Sequence, residues 1–77
     1  GEPMTIVYTK DNCVQCDATK RMMDKLGVPY YTVDITDNPE ELDKLIALGY
    51  RAAPVVITES GESWAGFNPA KIEGILA

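Results

Sequence analysis

The chain has no histidine and only two cysteines in its 77 residues. Structural zinc sites are normally closed by four thiolate or imidazole ligands, so a zinc site here needs carboxylates or a second chain to complete it. Two cysteines are also too few for the disulfide framework of a small secreted scaffold. Basic residues are the minority, 7 against 12 acidic, for a net charge of −5. Such a surface repels phosphate backbones, which argues against a nucleic-acid partner. No apolar run is long enough to span a bilayer, and no signal-like leader opens the chain. These deficits point to a single small cytoplasmic domain working as a monomer under reducing conditions, without a membrane partner. Gly1-Glu2-Pro3 precede Met4 and read as remnants of expression, so the domain is expected to run from residue 4 to residue 77.

What is present is regularly patterned. Thr5-Ile6-Val7-Tyr8-Thr9 is short and β-branched, the signature of a central strand buried on both faces. After Lys10-Asp11-Asn12 the pattern turns helical, with Val14, Ala18, Met22 and Leu26 on one face and Gly27 placed to end the helix. Tyr30 to Ile35 alternate as a strand, with Tyr31, Val33 and Ile35 on the better-buried side. Asn38-Pro39-Glu40-Glu41 combines a cap, a proline at the first helical position and carboxylates at the positive end of the dipole. Leu42, Leu45 and Ile46 form that helix's apolar stripe, and Gly49 its stop. Pro54-Val55-Val56-Ile57 is a further strand, Glu59 to Glu62 a hairpin turn and Ser63-Trp64-Ala65 a short edge strand. Asn68-Pro69 repeats the cap-plus-proline signal and opens a last helix carrying Ile72, Ile75 and Leu76. The order βαβ-α-ββα predicts an α/β domain: one mixed sheet with helices on its faces, a parallel first pair and an antiparallel last pair.

The chemistry lies in Cys13-Val14-Gln15-Cys16. The pair can be read as a partial metal clip, a structural staple or a redox couple. The first lacks ligands. The second closes so short a loop that it removes little entropy from the unfolded chain. The third has a mechanism. Cys13 follows a strand and a polar loop at the start of a helix, where free N–H groups and the helix dipole favour the nucleophilic thiolate. Lys10 adds positive charge there, while Asp11 and Asp17 oppose it. Cys13 attacks a substrate disulfide, and Cys16, one turn further in, resolves the mixed disulfide. A CxxC beside a βαβ pattern is a strong signal for this exchange.

The chain resembles the glutaredoxin-like redoxins of the thioredoxin superfamily, most closely the NrdH-redoxins. The matching pieces are Tyr8-Thr9-Lys10, Cys13-Val14-Gln15-Cys16, Leu48-Gly49-Tyr50, Ala53-Pro54-Val55-Val56 and Trp64-Ala65-Gly66-Phe67-Asn68-Pro69. The resemblance implies a thioredoxin/glutaredoxin-like fold, a four-stranded sheet in the order 2-1-3-4 with three helices. It implies an electron donor to the large subunit of class Ib ribonucleotide reductase. The redox-active Cys13–Cys16 disulfide then serves in place of a bound cofactor, recharged by thioredoxin reductase and NADPH. It also implies a cis bond between Ala53 and Pro54 facing the cysteines, exposing the Ala53 backbone to an extended substrate segment. Ala65 and Asn68 depart from the serine and the arginine or glutamine often found there, and the second change alters the charge near the site.

Around the cysteines, Lys10, Val14, Gln15, Ala53, Pro54, Trp64, Gly66, Phe67 and Asn68 are the candidate partner-binding residues. Trp64 and Phe67 are equally readable as core aromatics; in the functional reading their loop forms one wall of a groove and Gly66 permits close backbone approach. Weak glutathione use is expected. Pro69 removes an N–H from the last helix's start, and Asn68 spends its side chain on capping.

Overall fold

A computed structural model describes residues 4–75. Leu76 and the first three residues, for which expectations were stated above, lie outside that range. The elements are β1 (Thr5–Thr9), α1 (Val14–Leu26), β2 (Tyr30–Asp34), α2 (Pro39–Ala47), β3 (Val55–Ile57), β4 (Ser63–Ala65) and α3 (Pro69–Gly74). The strands form one sheet in the order β2-β1-β3-β4. β1 pairs parallel to β2, with Thr5 opposite Tyr30, and antiparallel to β3, with Val7 opposite Val56. β3 and β4 form the antiparallel hairpin, with Val56 opposite Trp64. This is the thioredoxin-like architecture that the pattern and the resemblance predict.

Strand alternation divides the core in two. Val7 and Val56 point to a cluster with Met23, Val28, Trp64 and Ile72, flanked by Met22, Leu26, Tyr30 and Ile75. Tyr8 and Val55 point the other way, to Ile35 and Leu45, with Ile6, Val33, Leu42, Tyr50, Ala53 and Ile57 around them. The first cluster binds α1 and α3 to the sheet, and the second binds α2. Burial on both faces makes β1 the central strand.

Four local readings need correction. The buried face of α1 runs through Cys16, Thr19 and Met23, not through Val14 and Ala18. Thr19 can be buried because its hydroxyl donates to the Gln15 carbonyl at 2.8 Å, which satisfies the polar group within the helix. Tyr31 is exposed on the edge strand, whereas Tyr30 packs inward and its hydroxyl donates to Asp24 Oδ1 at 3.0 Å. Ile46 is exposed as well, leaving Leu45 as the buried residue of α2. Finally, the two cap signals differ. The Asn68 side chain accepts the Lys71 N–H at 3.2 Å, but the Asn38 side chain makes no capping bond.

Candidate redox site

The site is assembled where β1 gives way to α1. Asn12 takes a left-handed conformation, φ 54°, which asparagine tolerates better than most residues, and the turn delivers Cys13 to the N-cap of α1. This turn is anchored to the segment after β2: the Asp11 N–H donates to Thr36 Oγ1 at 2.9 Å. Thr36 in turn donates its N–H to Asp34 Oδ1 at 2.7 Å. The backbone and hydroxyl bonds from Thr36 hold the Asp34 carboxyl below its usual range.

Cys13 and Cys16 are joined in a disulfide, with their Cα atoms 5.2 Å apart. Cys13 Sγ accepts the Cys16 N–H at 3.1 Å, and the Cys13 carbonyl accepts the Asp17 N–H at 3.1 Å. The sulfur that occupies the N-cap is therefore aimed at by a helix-terminal donor, an arrangement that stabilises negative charge on it. Both cysteines are buried, Cys16 completely and Cys13 with 9% of its surface left exposed. The Asp17 carboxylate that opposes a thiolate pairs with Lys20 at 3.5 Å. Among the described residues no three His, Cys, Asp or Glu side chains converge on a possible metal position.

Three segments that carry the other candidates are tied together beside the tetrad through Gln15 and Gly66. Val14, beside Cys13, is 79% exposed and forms an apolar tip. Ala53 is half-buried, Pro54 is buried, and the bond between them is cis. The Pro54 carbonyl accepts the Gly66 N–H at 2.8 Å, closing this segment against the 64–68 loop. Gly66 has φ 83°, and a Cβ there would lie 3.3 Å from Gln15 Oε1. Phe67 is 39% exposed, and its N–H donates to Gln15 Oε1 at 3.1 Å. The Gln15 side chain thus turns inward to the loop rather than outward to solvent alone.

Trp64, like Pro54, is a buried candidate. At 6% exposure it belongs to the core with Met23 and Ile72, and its buried Nε1–H has no hydrogen-bond partner among the described residues. It anchors the start of the loop in the core and leaves little surface exposed. Lys10 is exposed and lies with Asp11, Arg51 and Ala53 in an open cleft of about 300 Å³, floored by Ile35 and Leu42. Arg51 was not singled out by sequence reasoning, although its place just ahead of Ala52-Ala53-Pro54 was a usable signal. Thr36, the tether of the active-site turn, left no such signal. A larger depression of about 600 Å³ lies at the β2 edge beside Pro29 and Tyr30 and contains no cysteine.

A CxxC pair at a helix start on a thioredoxin-like sheet, its first cysteine slightly exposed and its second fully buried, defines a thiol–disulfide oxidoreductase. Known proteins agree. The Glutaredoxin family model matches residues 5–62. The glutaredoxin-like protein NrdH of Salmonella typhimurium is 45% identical over 67 residues, 86% of this chain and 80% of the relative. That of Lactococcus lactis is 36% identical over 69 residues, covering 90% and 94%. The solved structure of the Escherichia coli NrdH-redoxin superposes with a TM-score of 0.88 at 39% identity, covering 94% of this chain and 93% of that one. The chain belongs to the glutaredoxin family, among its NrdH-type redoxins. No helix among the described residues is long and apolar enough to cross a membrane.

Proposed function

We propose that this protein is a cytoplasmic monomer that delivers electrons to a class Ib ribonucleotide reductase and is re-reduced by thioredoxin reductase with NADPH. In the forward reaction the Cys13 thiolate attacks a disulfide of the reductase's large subunit. One partner sulfur leaves as a thiolate and the other is held in a mixed disulfide. Cys16, as thiolate, then attacks Cys13 Sγ, which breaks the mixed bond and frees the second partner thiolate. Two electrons pass to the partner, and the two partner thiolates take up the two protons that Cys13 and Cys16 gave up.

The observation that carries the choice of reductant is the start of α3. Glutathione needs free N–H donors there for a carboxylate. Pro69 has none, and the Lys71 N–H is already held by Asn68 Oδ1. The E. coli NrdH-redoxin is described as having a thioredoxin-like activity profile, which supports the same assignment. An extended partner segment docks along Ala53 and Pro54, with Val14 and Phe67 as apolar contacts, Lys10 at one end and Gly66 and Asn68 at the other.

The test follows NADPH oxidation with insulin disulfides as acceptor in two arms, one with thioredoxin reductase and one with glutathione and glutathione reductase. Cys13→Ser is the control in each. Turnover confined to the first arm is expected. Turnover confined to the glutathione arm would overturn the reading of α3 and make the protein a glutathione-coupled redoxin.

A further inference from the structure

The 64–68 loop and the start of α1 are 52 positions apart at their point of contact, and among the described residues one side-chain bond joins them: Phe67 N–H to Gln15 Oε1. Three consecutive residues of the loop each make a different tie. Gly66 donates to the Pro54 carbonyl, Phe67 to Gln15, and Asn68 caps α3 through Lys71. The loop is thus the joint between the Ala53-Pro54 segment, the cysteine helix and α3. The first tie is backbone to backbone, and the third lies within α3. Only the middle one depends on a side chain of the active-site tetrad.

We infer that Gln15 is a positioning residue, which acts by holding Phe67 and the loop at a set distance from Cys13 and so fixes the width of the groove that a protein disulfide enters. The fit is two-sided. Gln15 Oε1 accepts from one loop residue and lies 3.3 Å from where a Cβ on the residue before it would stand. Gly66 is favoured by φ 83°, and a Cβ there would also press Gln15 Oε1 back by a few tenths of an ångström. Gln15 sits between Val14 and Cys16, so its bond also fixes the outward-pointing Val14 relative to the exposed Phe67. Those are the large apolar side chains exposed on the two sides of the tetrad. Without the tie, the loop keeps its link to Pro54 but loses its register against α1. A small disulfide needs only Cys13 Sγ, whereas a protein segment needs both walls.

The inference rests on the reading that protein disulfides are the substrates, and the experiment separates the two. The full chain is reduced with dithiothreitol, freed of excess reductant and mixed in single turnovers with insulin or with hydroxyethyl disulfide. Wild type is compared with Gln15→Met, which keeps length and helix propensity but lacks the oxygen, and with Gln15→Glu, whose carboxylate can accept the same N–H. The ratio of the insulin rate to the small-disulfide rate is expected to fall about fivefold in Q15M, in keeping with the net worth of one hydrogen bond. In Q15E the ratio returns toward wild type. Amide exchange at Phe67 should quicken in Q15M and be restored in Q15E, while exchange at core residues such as Met23 reports the fold. An unchanged ratio in Q15M, or a Q15E ratio no better than that of Q15M, overturns the inference. Wild type that reduces hydroxyethyl disulfide but not insulin overturns the substrate reading, and the inference with it.

Discussion

Cys13 Sγ is bonded to the sulfur of Cys16 and also accepts the backbone N–H of Cys16 from 3.1 Å. The N–H that steadies the sulfur is part of the helix backbone, so it remains in place when the disulfide opens. The proposed mechanism gives the two cysteines different roles. Cys13→Ser should reduce disulfide exchange to background. Cys16→Ser should retain attack but lose resolution, so the variant accumulates as a mixed disulfide. Non-reducing electrophoresis after mixing with a disulfide substrate reads the difference. A trapped adduct with Cys13→Ser and none with Cys16→Ser would falsify the order of attack.

The two asparagine–proline helix starts offer a matched pair. Asn68→Ala removes an observed side-chain cap and should cost about 1 kcal/mol, within a range of about 0.5–2. Asn38→Ala removes no such bond and should cost distinctly less. Urea denaturation of the two variants side by side measures the contrast. Equal losses would mean that the bond to Lys71 contributes nothing of its own.

Met23 is fully buried between Val7, Trp64 and Ile72. Truncation to alanine leaves a cavity in the cluster that binds α1 to the sheet, and should cost about 2–5 kcal/mol. In a domain of this size each kcal/mol lowers Tm by about 4–8 °C. Met22→Ala, at a half-buried position, should cost less, and thermal melts of the pair test which methionine the core uses.

Asp34 gives a pH signature. Bonds from Thr36 lower its folded-state pKa, so its contribution to stability is present above the unfolded value of about 3.9. The contribution disappears as pH falls through the lowered folded value. Asp34→Asn should therefore flatten the stability profile across that acid window. Because Thr36 also receives the Asp11 N–H, the same variant should loosen the turn before Cys13, visible as faster amide exchange at Asp11. Parallel profiles for wild type and variant would show that the interaction adds nothing pH-dependent.

The layout of the domain was legible because its signals are local. The β-branched run of β1, Gly27 after α1 and the prolines opening α2 and α3 each act within one turn or strand. The α1 face was misplaced by one position because its buried residues include a cysteine and a threonine, and Thr19 hides its polarity in a bond to Gln15. Tyr31 was misplaced because alternation does not say that β2 lies at an edge. The site was legible in its chemistry, through the cysteine spacing, but not in its joinery. Gln15 to Phe67 and Asp11 to Thr36 are contacts between distant segments, and neither glutamine nor threonine carries a pattern that announces such a partner.

The unequal exposure of the two cysteines bears on which disulfides the protein can serve. In the proposed mechanism electrons leave through Cys13, a residue only 9% exposed, and in-line attack requires the target sulfur to come down to it. Val14 and Phe67 are far more exposed than Cys13, so a disulfide lying flat within a rigid surface is expected to approach that cysteine poorly. One on a slender, pliant tail is not. The protein is therefore expected to reduce a disulfide on a flexible tail faster than a structural disulfide of a folded neighbour, a contrast that rates with the two kinds of substrate measure.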